Sequence, residues 1–154
     1  MKKIFLFILL MFVSFTVSSC AEKQVYSDID KENFVVKFGV FEKDTFKLKE
    51  ETTKIPLIYK DTGFSCGYVI YAKDKSNFSE YSIAYPPREG VSGTEVRSTG
   101  INNGLRGSVG KSIKGSIAHK FGFDQGDPAG VWAVDVYVND NLLQSIVFEV
   151  LENK

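Results

Sequence analysis

The sequence predicts an all-β fold, an immunoglobulin-like β-sandwich, with a small β-barrel as the alternative. Apolar residues alternate with a period of two in short segments along the chain, and turn residues separate these segments. Apolar residues at helical spacing nowhere extend beyond two turns. About seven or eight short strands of this kind are typical of a β-sandwich.

The first predicted strand is Phe34–Phe41, because its residues alternate with a period of two. Further strands are predicted, in chain order, at residues 46–48, 54–59, 67–72, 79–85, 95–97 (a short edge strand) and 112–121. Pro86 and Pro87 cannot donate to a β-ladder, so they end the strand at Tyr85.

The clearest pattern is a C-terminal β-hairpin. Residues Asn139-Asp140-Asn141 tolerate a left-handed backbone and therefore predict a tight turn. The apolar face before the turn consists of Trp132, Val134, Val136 and Val138. The residues that alternate on the return strand are Leu142, Gln144, Ile146, Phe148 and Val150. We expect Trp132 and Phe148 to lie in the core, with Trp132 as its main anchor.

Composition and charge exclude two classes of protein. The chain has 19 Lys and Arg against 19 Asp and Glu, which argues against a nucleic-acid-binding protein with its usual basic excess. Its 13 Phe and 7 Tyr supply enough apolar surface for a core, which argues against disorder. The length of 154 residues fits a single domain.

The N-terminus has the features of a bacterial lipoprotein signal. Lys2 and Lys3 precede an apolar run, residues 4–13, that is shorter than the about 20 residues of a membrane-spanning helix. The segment then ends in Val17-Ser18-Ser19-Cys20, which resembles the lipobox, with Val17 where Leu is commoner. The resemblance implies cleavage before Cys20 and attachment of lipid to its sulfur and amino group. These two attachments supply enough acyl chains for stable anchoring in a membrane. An ordinary secretory signal with a chance cysteine is the alternative.

Processing would remove residues 1–19 and leave the lipidated Cys20 on a polar tether, residues 20–33, before one domain at residues 34–154. An Asp after the lipidated cysteine resembles an inner-membrane retention signal, and the residue here is Ala21. We therefore expect the protein to be anchored in the outer membrane of the cell envelope.

After processing, Cys66 would be the sole free thiol, so no intrachain disulfide is expected. Its apolar surroundings predict a core position, with a reactive or intermolecular role as the alternative.

No motif assembles a catalytic or metal site, and we expect no cofactor. Five residues separate Gly104 from Gly110, where a phosphate-binding P-loop has four before Gly-Lys-Ser. His119, the only histidine, is accompanied by no G-x-S-x-G motif, so we expect it at the surface or on an edge strand. One histidine cannot build a catalytic zinc site. The stretch Asp124-Gln125-Gly126-Asp127 lacks the ligand pattern of a calcium loop and is interpreted as a polar turn.

Two regions are candidates for binding. Residues 98–111 are rich in Gly and Asn and predict a long loop, and long loops in compact domains are often functional. Its candidate contact residues are Asn102, Asn103, Arg106 and Lys111. Tyrosines on two neighbouring predicted strands, Tyr68, Tyr71, Tyr81 and Tyr85, form the second region. Where they face outward, as we suggest for Tyr71 and Tyr81, they could contact a glycan or a protein. Core or edge packing is the alternative.

Scattered short motifs carry a resemblance to a known family. They are Phe38-Gly39-Val40, Thr53-Lys54-Ile55-Pro56, Phe64-Ser65-Cys66-Gly67-Tyr68, Tyr85-Pro86-Pro87, Phe123-Asp124, Pro128-Ala129-Gly130-Val131-Trp132, Leu142 and Phe148-Glu149-Val150. Over residues 34–150 the chain resembles an uncharacterised bacterial family of secreted and lipoprotein domains, the domain-of-unknown-function family numbered 3859. Tyr85 stands where the family pattern has His, and residues 125–127 shorten an acidic-apolar stretch. The resemblance implies a fold and no activity.

These observations predict a non-enzymatic protein that is held at the membrane by the lipid on Cys20 and binds a protein partner of the envelope. An inhibitor or immunity-type protein is one version of this function. A glycan-binding module of the cell surface is the main alternative, and a hydrolase that uses scattered carboxylates is a third hypothesis.

Overall fold

The computed structural model describes residues 29–99 and 104–152. Cys20, the signal segment, Asn102 and Asn103 lie outside the described residues. The described strands are β1 (Phe34–Phe41), β2 (Leu48–Glu51), β3 (Lys54–Pro56), β4 (Cys66–Ala72), β5 (Ser79–Tyr85), β6 (Leu105–Arg106), β7 (Gly110–Lys111), β8 (Ser116–Phe121), β9 (Gly130–Val138) and β10 (Asn141–Leu151). One short helix, α1 (Gly93–Ser98), and 3-10 turns at Lys31–Asn33 and Lys60–Thr62 complete the described elements.

The strands form two sheets that pack face to face. One sheet has the order β2-β1-β4-β8, and the other has the order β3-β10-β9-β5-β6, with β7 also paired to β5. All pairs are antiparallel except β3 with β10. Strands β1, β4 and β8 occupy the places of strands A, B and E of an immunoglobulin sandwich, and β5, β9 and β10 those of C, F and G. Within the described residues both sheets stay open, so the predicted sandwich is confirmed over the barrel.

The core lies between the two sheets. Strand β9 contributes its even-numbered apolar residues, Trp132, Val134, Val136 and Val138, as the alternation predicts. Phe148 of β10 lies near the centre of the aromatic packing, with its ring centroid 4.8 Å from that of Phe38 and 6.1 Å from that of Trp132. Trp132, Phe148 and Cys66 thus all lie in the core, as the sequence predicts.

The C-terminal hairpin forms with the predicted turn, in which Asn139 and Asp140 have φ angles of 47° and 64°. The return strand differs from the prediction at one position. A bulge between Leu142 and Gln144 inserts Leu143, which packs against the core. Leu142 is therefore paired with the outward-facing Tyr137 and leaves the apolar face to which it was assigned.

The predicted edge strand at residues 95–97 is wrong, because this segment is the helix α1. Ser92 caps the helix through its side chain, which accepts a hydrogen bond from the Glu95 N–H at 3.3 Å. The Glu95 carboxylate in return accepts one from the Ser92 N–H at 2.7 Å. This capping box, Ser-x-x-Glu, stabilises a helix start that hydrophobic periodicity does not show in so short a segment. Within the described residues no helix is long and apolar enough to cross a membrane.

The domain begins before Phe34, so the last residues of the predicted tether are part of the fold. Ile29 packs against the core. The Asn33 carbonyl accepts a hydrogen bond from the Lys73 N–H at 2.8 Å, and its side chain accepts one from the Asp74 N–H at 3.2 Å. These contacts attach residues 29–33 to the turn after β4.

The long strand predicted from residue 112 starts later. Lys114 and Gly115 have φ angles of 52° and 74°, so the chain turns there and β8 begins at Ser116. The predicted strands at residues 46–48 and 54–59 likewise shift or shorten, to β2 and β3. The alternation locates these strands but not their ends.

Candidate functional site

A cavity of about 240 Å³ opens on the side of the sandwich where β8 lies opposite β5 and β6. Its apolar lining includes Leu105, Phe121, Phe123, Trp132 and Val134, and its polar lining includes Ser82, Arg106, His119, Asp124 and Asp127. Ligand pockets combine an apolar wall with a few placed polar groups in this way. The volume suits one ring or a short aliphatic chain.

Three polar side chains from three strands meet beside this cavity. Tyr68 of β4 donates its hydroxyl to Oε1 of Glu80 on β5. Nδ1 of His119, on β8, lies 3.1 Å from the same oxygen. The imidazole also stacks on the Tyr68 ring, with centroids 5.3 Å apart. Because Glu80 belongs to one sheet and Tyr68 and His119 to the other, the cluster links the two sheets by hydrogen bonds.

The Glu80 carboxylate is the most unusual group of the cluster. Its exposed fraction is 0%, and its Oε2 has no hydrogen-bond partner among the described residues. A buried carboxylate is costly unless it is hydrogen-bonded and its charge is balanced. Burial raises the pKa of the Tyr68 hydroxyl well above its usual range, and the neighbouring charge of Glu80 raises it further. Tyr68 therefore keeps its proton and remains a donor to Glu80.

His119 lies on an edge strand, as expected, but its side chain faces inward. It lines the cavity and keeps 18% of its side chain exposed. Its strand neighbours Ile117 and Phe121 pack against the core, and the alternation of residues 117, 119 and 121 is a signal that could have placed it there. No sequence pattern singled out Glu80 or Tyr68 as members of a polar cluster.

The segment of residues 104–113, here called the edge segment, borders the cavity. It contains three of the large apolar side chains that the fold leaves exposed, Leu105, Val109 and Ile113, at 60%, 61% and 75%. Part of the predicted long loop is therefore ordered as β6 and β7 against β5. Of the candidate contact residues, Arg106 lies on β6 and Lys111 lies, exposed, on β7.

The tyrosines do not form one platform, because β4 and β5 belong to different sheets. Tyr68 and Tyr85 are buried. Tyr71 is exposed on the outer face of the four-stranded sheet, whereas Tyr81 lies on the outer face of the other sheet. The Tyr81 ring stacks on Tyr137 with centroids 4.7 Å apart, and the Arg106 guanidinium carbon lies 4.2 Å from its centroid. Both faces of the Tyr81 ring are therefore occupied.

Cys66 is fully buried, and burial raises the pKa of its thiol to about 12. The thiolate is the reactive form of cysteine, so this environment suppresses reactivity at neutral pH. The position agrees with the structural role that the sequence predicts.

The acidic stretch after Phe123 forms a polar turn, in line with its interpretation. The Asp124 N–H donates to Oδ2 of Asp127 at 2.7 Å, and Lys60 Nζ lies 2.6 Å from Oδ1 of Asp124. Over residues 29–99 and 104–152, no group of three or more His, Cys, Asp or Glu side chains could hold a metal ion.

Comparison with known proteins gives a structural likeness and no family. No family model matches the chain, and no curated protein matches it significantly. The family resemblance described above therefore stays a prediction. The chain is similar to a solved structure described as an immunoglobulin-like protein from Pseudomonas aeruginosa, with 18% sequence identity and a TM-score of 0.45. The likeness covers 76% of this chain and 92% of the other.

Proposed function

We propose that this chain is a lipid-anchored, non-enzymatic β-sandwich of the cell envelope that binds a protein partner through the edge segment. The observation that carries the proposal is the exposure of Leu105, Val109 and Ile113 on one short segment beside a cavity. Large exposed apolar side chains concentrated in one place favour an interaction site over a merely solvated surface.

The charges around the edge segment define the partner's chemistry. Arg106, Lys111 and Lys114 are exposed on or next to this segment. A binding surface with an apolar centre and a basic rim fits a partner with an apolar cleft and an acidic rim. An enzyme with an acidic active-site cleft has this character, which is the inhibitor version of the function.

The binding proposal is tested by crosslinking in living cells. The full-length chain, tagged at its C-terminus, is crosslinked and the captured proteins are identified by mass spectrometry. We expect one dominant envelope protein, whose capture is lost when Val109 and Ile113 are both replaced by Lys. Both side chains are mostly exposed, so the double variant should fold normally.

Phe46→Lys is the matched control, because Phe46 is 71% exposed but lies in the turn between β1 and β2, outside the edge segment. It should capture the partner as the natural chain does. No reproducible partner, or equal capture by the Val109→Lys/Ile113→Lys variant, would overturn the proposal. A glycan array would then test the alternative with Tyr71→Ala, since Tyr71 keeps an exposed ring whereas the Tyr81 ring is covered.

The anchor is proposed from the sequence Val17-Ser18-Ser19-Cys20. Cells grown with radiolabelled palmitate should label the natural chain and not a Cys20→Ser variant. The natural chain should also sediment with the outer membrane, as Ala21 suggests. Labelling that persists in Cys20→Ser would contradict lipidation at this residue, and so would the absence of label from both the natural chain and the variant. Neither result affects the proposal that the edge segment binds a partner.

A further inference from the structure

We propose that the cavity beside His119 binds a small, neutral, apolar ligand that carries one hydrogen-bond-accepting oxygen, such as the carbonyl of an aryl ketone. His119 Nε2–H is the donor to that oxygen. This site shares Leu105 and Arg106 with the edge segment, but it lies inside the sandwich and would take a small molecule rather than a protein.

The imidazole is held so that one nitrogen remains available. Nδ1 faces Glu80 Oε1, and the ring is stacked on Tyr68, so its orientation is set by two contacts. Nε2 has no hydrogen-bond partner among the described residues, although His119 lines the cavity. A histidine whose first nitrogen is bound by a carboxylate commonly presents its second nitrogen for function.

Gly107 keeps the free edge of the ring open. A Cβ at this position would lie 2.9 Å from His119 Cε1 and 3.1 Å from Nε2. Gly107 also lines the cavity, and its N–H donates to the Ser82 carbonyl at 2.9 Å. A side chain at residue 107 would therefore crowd the Cε1–Nε2 edge of the imidazole and narrow the approach of a ligand to Nε2.

A buried Glu80–His119 pair is least costly when its net charge is zero, and in that state Nε2 is a donor. Within the described residues Glu80 forms no ion pair with Lys or Arg, and His119 is its partner. One proton shared between Glu80 Oε1 and His119 Nδ1 leaves the buried pair with no net charge. In that state Nε2 carries the second hydrogen of the imidazole, which points to an acceptor on the ligand.

The rest of the cavity selects a neutral and apolar ligand. Leu105, Phe121 and Trp132 provide the apolar wall. Asp124 and Asp127 lie at the cavity, whereas the Arg106 guanidinium is stacked over Tyr81 on the outer face. Asp124 is paired with Lys60, whereas Asp127 forms no ion pair within the described residues. An anionic ligand would approach the Asp127 carboxylate, so a carbonyl is favoured over a carboxylate.

The test uses two probes of nearly equal shape, acetophenone and α-methylstyrene. The carbon beside the aromatic ring carries a double-bonded oxygen in acetophenone and a double-bonded CH₂ group in α-methylstyrene. They are titrated into the full ¹⁵N-labelled chain in detergent micelles and followed by NMR. His119 is the only histidine and Trp132 the only tryptophan, so their side-chain signals need no assignment. We expect acetophenone to shift the Trp132 indole and His119 imidazole signals, and the ¹⁵N spectrum to show hydrogen on Nε2.

Two variants test separately the hydrogen bond from His119 Nε2 and the room that Gly107 leaves for the ligand. In His119→Asn the amide N–H can still donate to Glu80, but nothing replaces Nε2. The ratio of the affinity for acetophenone to that for α-methylstyrene should therefore fall by roughly 2- to 10-fold. Comparing this preference between the two proteins cancels the partition of the probes into micelles. Gly107→Ala should abolish binding of both probes, because its Cβ would crowd the imidazole edge that faces the cavity.

Val109→Ala is the matched control, since Val109 is in the edge segment but does not line the cavity. It should bind both probes as the natural chain does. An unprotonated Nε2, unshifted Trp132 and His119 signals, an unchanged preference in His119→Asn, or undiminished binding by Gly107→Ala would each overturn the proposal. If His119→Asn does not fold, Gly107→Ala and the ¹⁵N spectrum still decide it. None of these results depends on whether a protein partner is captured.

Discussion

Trp132 is the residue whose contacts most clearly explain the stability of the core. Its ring centroid lies 5.7 Å from that of Phe123 and 6.1 Å from that of Phe148. Its indole N–H donates to the Pro128 carbonyl at 3.0 Å, so the polar atom of this buried side chain is satisfied. Only 5% of the residue is exposed. It therefore gains both apolar burial and a hydrogen bond on folding.

We expect Trp132→Ala to lower the free energy of unfolding by about 3–5 kcal/mol, because it removes this contact area and leaves a cavity. Urea denaturation measures the change. Phe46→Ala is the control, since Phe46 is 71% exposed and its loss should change stability by no more than about 0.5 kcal/mol. A Trp132→Ala protein that melts within about 4 °C of the natural chain would contradict this account.

At the scale of elements, α1 is the part of the fold that local periodicity predicts least well. It is six residues long, and its buried residues are Gly93 and Val96. Val96 packs with Tyr85 and Ala133 on the outer face of the six-stranded sheet. Arg97 Nε donates to both oxygens of the buried Asp135 at 2.7 Å, which ties the helix to β9. The helix is thus stabilised by its cap and by tertiary contacts rather than by its length.

The capping box predicts a pH-dependent stability. Two hydrogen bonds from Ser92 lower the pKa of Glu95 below its ordinary 4.5. The bond from the Ser92 side chain has the larger effect, and the bond from its N–H has the smaller one. Because the folded pKa is the lower one, this contribution is present above about pH 4.5 and is lost as the pH falls through the folded pKa. Ser92→Ala should therefore lower the urea midpoint at pH 7, and the difference from the natural chain should shrink by pH 3.

Ser98→Ala is the control for this pH dependence, because the Ser98 hydroxyl donates to the Glu95 backbone carbonyl at 2.9 Å. That bond involves no titrating group, so its effect on the urea midpoint should be the same at both pH values. A Ser92→Ala difference that stays constant or grows between pH 7 and pH 3 would show that the Glu95 carboxylate does not contribute as described.

At the scale of the whole molecule, the two sheets are joined by an apolar core with one polar cluster at its open side. Tyr68 and His119 extend from the four-stranded sheet, and Glu80 extends from the other. Such a cluster is costly when incomplete, because a buried carboxylate that loses a donor is left unsatisfied. It should therefore favour the one arrangement of the sheets that brings its three members together.

A double-mutant cycle tests this role. Tyr68→Phe should lower the free energy of unfolding by about 1–3 kcal/mol, because it removes the hydroxyl that donates to Glu80. Combined with Glu80→Gln, the two effects should be non-additive by about 0.5–3 kcal/mol. Tyr71→Phe, which removes an exposed hydroxyl, should have almost no effect. Additive effects of Tyr68→Phe and Glu80→Gln in urea denaturation would show that the cluster does not couple the sheets.

The positions of most strands, and the apolar faces of β1 and β9, follow from the local sequence pattern. Strand β1 begins and ends at the predicted residues, and the turn at Asn139 and Asp140 forms as their tolerance of positive φ requires. Trp132 and Cys66 lie in the core as predicted. These features are local, since a period of two assigns each side chain to one side of its strand and turn residues mark where the strand ends.

Packing of the whole chain sets which strands are neighbours. The alternation is the same whichever sheet a strand joins, so it could not show that β4 and β5, consecutive in the chain, lie in different sheets. That assignment separates Tyr71 from Tyr81 and brings Tyr68, Glu80 and His119 together. The bulge at Leu143 is likewise set by pairing with β9. The candidate site depends on strand pairing between distant parts of the chain, which packing of the whole core selects.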